Sequence, residues 1–501
     1  MLDGLLLGLQ TVLTFENLIL VFAGCMVGTL IGMLPGLGPI SAIALMIPIT
    51  YGFDPASGMI LLAGVYYGAI FGGSTSSILI NAPGVAGTVA TAFDGYPMAQ
   101  KGQAGKALAT AAYASFAGGT IATVFLVLAA PFLAELSLGF QSADYFALMV
   151  LGLSMVAAFS PPGEYLKALL MTCFGLALST VGTDLSAGVQ RFTFGRMDLI
   201  DGISFLLLAM ATFALSEAIM MVLKRGQQNT QVNFSSIDMR LTAAEVRTIV
   251  PVISRSSILG FLVGVLPGAG ATIASFLAYG AERSLAHDKA TFGTGNIKGL
   301  AAPEAANNAA CTGSFVPLLT LGIPGSGTTA VLLGALIAYG IQPGPRLFID
   351  EPEIFWSVIV SMYFGNLILL FLNLPLIPYI ARLLSIPRQF LIPSIMFFSL
   401  MGVYLVSFNT FDIQMMVVIA SIAILLRLMD FPMAPLLLGF ILGGMLEDNL
   451  RRAVTISNGE LSFLWERPTT LILLTLTLLV LTSPLARYLV RNILVREPRN
   501  L

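Results

Sequence analysis

Residues 28–38 read GTLIGMLPGLG, and residues 260–270 read GFLVGVLPGAG. Gly28, Gly32, Gly36 and Gly38 match Gly260, Gly264, Gly268 and Gly270, and Pro35 matches Pro267, all at one offset of 232 residues. A second pair follows each copy, NAPG at 81–84 and GIPG at 322–325, at an offset of 241. Coincidences held at fixed spacing, even in a chain with 50 glycines, point to one duplicated unit.

Around these motifs the chain is apolar. No Asp, Glu, Lys, Arg or His occurs from Asn17 to Phe53, Pro55 to Phe93, Ser256 to Ala281, or Ala305 to Pro345. A spanning helix needs about 20 apolar residues, so blocks of this length cross twice or turn back inside the bilayer. Over all 501 residues, 57% are hydrophobic and 10% charged, and the mean hydropathy is +0.91. A water-soluble globule, with about a quarter of its residues charged, is excluded. The runs are continuous rather than alternating, which rules out a transmembrane β-barrel. The expected fold is an all-α polytopic membrane protein of about 12 helices, arranged as two inverted-topology repeats with discontinuous helices or re-entrant hairpins. The segments are 1–223 (first repeat), 224–249 (cytoplasmic connector), 250–467 (second repeat) and 468–501 (final helix and tail).

Loop charge supplies the inversion. GYPMAQKGQAGK after the first copy carries Lys101 and Lys106 and reads as cytoplasmic. QPGPRLFIDEPE after the second carries Arg346 against Asp350, Glu351 and Glu353 and reads as external. Lys224, Arg225, Arg240 and Arg247 suit a cytoplasmic connector, as do Arg382, Arg388, Arg487, Arg491, Arg496 and Arg499 for their own loops. The N-terminus falls outside and the C-terminus in the cytoplasm. Arg451 and Arg452 fall outside, against the rule, with Glu447 and Asp448 beside them.

Several functions are excluded. With a net charge of −2 and no basic tract there is no footprint for nucleic acid. His287 is the single histidine, so a histidine triad or multi-histidine metal site is ruled out, and the chain is not expected to be an enzyme or to carry a cofactor. Cys25, Cys173 and Cys311 lie in apolar blocks without a CxxC pair and read as small buried hydrophobes. GTGNIKG at 293–299 lacks the spacing of a dinucleotide turn. MLDGLLLGLQTVL lacks the basic start of a cleaved signal peptide.

Proline and glycine inside an apolar run break a helix, and bare backbone is tolerated in a membrane only where it lines a polar cavity. LPGLGP, NAPG, LPGAG and GIPG are four such breaks, two per repeat. Gly28-x-x-x-Gly32 and Gly260-x-x-x-Gly264 read instead as close-packing positions. Polar residues cluster at the breaks. Ser74, Thr75, Ser76, Ser77, Asn81 and Gly84, with Gly325, Ser326, Thr328 and Thr329, are candidates for holding an anionic substrate. Carbonyls around Gly36, Gly38, Gly268 and Gly270, with Asn307 and Asn308, suit a hard cation such as sodium. Taken singly, such hydroxyls more often bond their own backbone. Glu304 and Asp94 are candidate proton or cation carboxylates, and Glu304 could equally be a helix N-terminal acid.

PGLGP at 35–39, GGSTSSILINAPG at 72–84, DGYPMAQKG at 94–102, PEAANNAA at 303–310, LLTLGIPGSGTTA at 318–330 and PMAPLLLGFILGGMLEDNLRRA at 432–453 resemble the large membrane subunit of the tripartite tricarboxylate transporter family. The resemblance covers nearly the whole chain. It implies a bacterial inner-membrane secondary transporter working with a small four-helix membrane subunit and a periplasmic solute-binding protein. A dimer of the membrane complex is expected as well. The implied activity is uptake of a di- or tricarboxylate such as citrate, driven by a cation gradient, sodium or protons. The alternatives are a stand-alone organic-anion carrier or a passive channel.

Overall fold

The computed structural model describes residues 1–501 except 35–36, 159, 161–163, 185–186, 224–238, 381–387 and 495–501. Gly36, most of the proposed connector, and Lys224, Arg225, Arg382, Arg496 and Arg499 therefore lie outside the described residues. Among the described residues the regular structure is helical apart from one antiparallel hairpin, Gly182–Asp184 with Val189–Arg191. Seven helices among the described residues are long and apolar enough to cross a membrane, and seven shorter apolar helices accompany them.

By packing the chain forms two compact units. One comprises Met1–Leu138 with Ser204–Asp430, and the other Gly139–Ile203 with Phe431–Leu501. The first unit contains both motif copies, and its element order repeats. The first pass is Phe15–Gly32, Gly38–Thr50, Pro55–Ile80, Val89–Met98 and Ala104–Ser137. The second is Ala243–Val265, Gly270–Leu285, Ile297–Gly313 continued by Phe315–Leu321, then Gly327–Ala338 and Pro352–Asn373. Among the described residues, the Pro-Gly motifs at 81–84, 266–270 and 322–325 lie at junctions between these helices, where proline withholds a donor and glycine tolerates a positive φ.

The repetition extends to individual contacts. A Cβ on Gly28 would strike the backbone of Val65, and one on Gly32 that of Ala69. A Cβ on Gly260 would strike the backbone of Ala306, and one on Gly264 that of Ala310. The two pairs of contacts are related by the same offsets, 232 and 241 residues, that relate the motifs. Both GxxxG motifs are thus seams where two helix backbones approach too closely for any side chain. The long helices end alike too. Asn81 caps Pro55–Ile80 in the left-handed region at φ 50°, and Gly322, 241 residues later, caps Phe315–Leu321 at φ 69°. Asparagine and glycine are the residues that accept this conformation.

In the second unit Gly175 packs on Leu436 and Gly439 on Thr172, so Tyr165–Ser179 and Ala434–Ile456 are again held by glycine contacts. Arg451 bonds Glu447 and Asp184, both at 2.6 Å, and Arg191 bonds Glu447 at 2.8 Å. The basic pair that ran against the loop-charge scheme is therefore half neutralised. Asp144 is buried against Arg467 at 2.7 Å and Thr470 at 2.6 Å. Cys25 and Cys311 are buried, but Cys173 is exposed, correcting the expectation for it: Tyr165–Ser179 turns one apolar face outward.

Candidate functional site

The helix Ile297–Gly313 is short of bulk, built largely from Ala, Gly and Asn, and so can be enclosed at close range. Gly260 and Gly264 approach it from one helix and Gly118, against Ala305, from another. At its centre, after Pro303, stands Glu304, fully buried. Its Oε2 accepts from Ser74 Oγ and Ser115 Oγ, each at 2.7 Å, and its Oε1 from Thr91 Oγ1. All three donors come from the first repeat, on Pro55–Ile80, Ala104–Ser137 and Val89–Met98. Among the described residues no Lys or Arg pairs with Glu304. A buried carboxylate with no basic partner is costly to hold charged in low dielectric, which favours a proton or cation beside it. The repeat-related position, 241 residues earlier, is Ala63, so the polar centre exists in one half only.

Asn307 and Asn308 lie beside it, both buried. Asn308 Nδ2 donates to Glu304 O at 3.0 Å and to Asn307 Oδ1 at 2.6 Å, and Asn307 Nδ2 reaches Gly87 O at 3.4 Å. Asn308 Oδ1 is buried without a partner among the described residues.

Within each repeat the two breaks touch. Gly84 lies against Gly32 O and Gly325 against Gly264 O, again at the motif offsets, and Gly268 N donates to Gly325 O at 2.9 Å. The repeats also interlock. Val89–Met98 packs on Gly270–Leu285, and Gly327–Ala338 packs on Gly38–Thr50. Gly38, Gly268 and Gly270 have φ of 62°, 79° and 62°, the backbone freedom expected of them at the breaks.

The remaining candidates divide by what their polar atoms already do. Ser76 Oγ accepts from Gly84 N at 3.1 Å, and Ser77 Oγ donates to Thr88 Oγ1 at 2.9 Å, so both brace the second break. Asn81 is a helix cap with an exposed side chain. Ser326 and Thr329 form a reciprocal capping box for Gly327–Ala338. Thr328 is buried on the same helix. Thr75 lines a small cavity with Ser74, Ser115 and Asn373.

Asp94 is buried three residues after Thr91, but it serves a different purpose. Its Oδ1 accepts from the backbone N–H of Gly293, Gly295 and Asn296 at 2.9, 2.8 and 2.7 Å, and its Oδ2 from Tyr279 Oη at 3.1 Å. Gly293 and Gly295 adopt φ of 85° and 107° to turn their amides inward. GTGN is thus an anion nest filled by a carboxylate of the chain itself. It fixes the start of the helix that carries Glu304. Asp94→Asn is expected to destabilise the protein by about 2 kcal/mol, through loss of charge-assisted bonds. Thermal unfolding in detergent and proteolysis between 286 and 296 measure this, and unchanged stability would refute the structural role.

Thr91, Ser115 and Asn373 were not singled out from the sequence. Each is an isolated polar residue on an apolar helix, with no motif around it. Among the described residues no group of three or more His, Cys, Asp or Glu side chains converges as a metal site.

The profile of the tripartite tricarboxylate transporter TctA family matches residues 18–438. A relative from Agrobacterium vitis, described as an uncharacterized 52.8 kDa protein in the TAR-I ttuC' 3' region, is 46% identical over 460 residues, covering 92% of this chain and 91% of its own. A second from the same organism, described as a protein in the TAR-II ttuC' 3' region, is 47% identical over 201 residues, covering 40% of this chain and 83% of its own. No solved structure gives a significant match.

Proposed function

The chain belongs to the tripartite tricarboxylate transporter TctA family, and from that premise we propose that it is the large membrane subunit that carries a di- or tricarboxylate-type organic acid inward with sodium. A periplasmic binding protein delivers the acid, and a small four-helix subunit completes the membrane complex, which pairs as a dimer in the bacterial inner membrane. The N-terminus faces outward and the C-terminus the cytoplasm. The acid is held at the paired breaks by Thr328 and the amides and hydroxyls around Gly84 and Gly325.

The observation that carries the reading is Glu304. A carboxylate of one repeat accepts hydrogen bonds from three hydroxyls of the other. Charging or neutralising it therefore acts across the boundary along which the repeats interlock, which is what coupling an ion to a conformational change requires. The test is uptake by the three-component system in proteoliposomes. Uptake is expected to require a sodium gradient and to persist in the presence of a protonophore. Uptake unchanged without sodium and collapsed by the protonophore would move the coupling to protons, and ohmic conductance would replace the carrier with a channel.

A further inference from the structure

Ser74, Thr75, Ser115 and Asn373 surround a small cavity beside Glu304, walled otherwise by Phe71 and Ile78 among other apolar side chains. It has room for an ion or a water molecule and not for an organic acid. Asn373 is 4% exposed, and its Nδ2 donates to Leu369 O at 2.9 Å. Its Oδ1 has no partner among the described residues, so the oxygen is what Asn373 has to offer the cavity. Ser74 and Ser115 spend their protons on Glu304 Oε2, each at 2.7 Å. Their lone pairs remain for a guest. The cavity thus presents the oxygens of Ser74, Ser115 and Asn373, with the two serine hydrogens turned toward the Glu304 carboxyl one hydrogen bond behind them.

That polarity selects a cation. A divalent ion prefers carboxylates as direct ligands, and a soft metal prefers sulfur or imidazole. We infer that the cavity is a binding site for one small hard monovalent cation of the sodium class, with Ser74, Thr75, Ser115 and Asn373 as ligands and Glu304 as the outer charge that makes it attractive. The assignment rests on the transport reading only for its purpose, since binding is measurable without transport. Asp94 is in its nest, Lys106 pairs with Glu245 at 2.8 Å, and Arg255 pairs with Glu282 at 2.9 Å. Tyr66, Tyr67 and Cys311 are neutral in their protonated forms and buried in the same core.

The experiment is calorimetric titration of the purified protein in nanodiscs with sodium chloride, choline chloride holding ionic strength constant. Saturable sodium binding is expected, weakened roughly tenfold or more by Ser115→Ala, Asn373→Leu or Glu304→Gln, the range for losing a ligand or its outer partner. Asn373→Asp, which keeps an oxygen and adds charge, is expected to bind sodium at least as tightly as the unaltered chain, an outcome a purely structural asparagine would not give. If Asn373→Leu does not fold, Ser115→Ala decides alone. Absence of saturable binding, or unchanged affinity in Ser115→Ala, would overturn the site. Sodium-driven uptake with normal sodium affinity in these variants would leave the transport reading standing and this site refuted. Sodium binding here without carboxylate uptake would do the reverse.

Discussion

Glutamine in place of Glu304 is expected to leave the protein inserted and folded while cutting substrate uptake on the order of 100-fold. The side chain keeps its size, and hydroxyls can turn to accept as readily as donate, so Ser74, Thr91 and Ser115 still find partners. The charge is what disappears. Losing the outer partner of a bound ion costs about 10–100-fold in its affinity, and uptake that depends on that ion falls with it. Initial uptake rates per inserted molecule measure the loss. Full uptake by the glutamine variant would remove Glu304 from the coupling.

The second large effect falls on folding. Gly32→Ala and Gly264→Ala should each cost about 3 kcal/mol or more, at or above the top of the usual range for overpacking. What the new methyl meets is backbone, at Ala69 and Ala310 respectively, and backbone cannot rotate aside as a side chain can. Against a total stability of roughly 5–15 kcal/mol, either change should sharply reduce folded yield. Gly280, inside Gly270–Leu285, has open space where a Cβ would go. Alanine there should be neutral, or stabilising by about 0.5–1 kcal/mol. Yield of monodisperse protein in detergent compares the three, and normal yield for Gly32→Ala would contradict the packing described.

The fold was legible in sequence where geometry leaves no choice of residue. Only glycine fits where Gly28 approaches Val65 and Gly260 approaches Ala306, so two rows of glycines at one spacing disclosed both the duplication and its seams. Glu304 was also visible, because a carboxylate in an apolar block is rare. Of its partners only Ser74 stood among the candidates. Thr91 and Ser115 sit in VATAF and YASFA, where a hydroxyl normally bonds its own helix, and they meet Glu304 across 213 and 189 residues of chain. Nothing local encodes such a meeting.

Polarity was a poor guide to purpose at the breaks. Asn81 supplies a left-handed cap, and Ser326 and Thr329 are engaged in holding a helix start. The S-x-x-T spacing resembled a capping box and could have been read as one. Asp94 and Glu304 looked alike as acids among apolar residues. The difference lies in GTGN, whose glycines at positive φ turn three amides onto Asp94 and onto nothing near Glu304.

The duplicated glycine contacts also bear on how the molecule could move. When two halves are built on the same seams, a rearrangement in which each half takes the shape of the other exchanges one set of contacts for an almost identical set. The starting and final states then have similar free energies, and neither is a deep trap. A gap of a few kcal/mol or less leaves the minor state measurably populated, so a ligand needs only a modest preference to reverse the balance. The departure from symmetry at Glu304, opposite Ala63, is where such a preference can be written. A duplicated scaffold would make two such states nearly degenerate, and one acidic side chain, opposite Ala63, would break the tie.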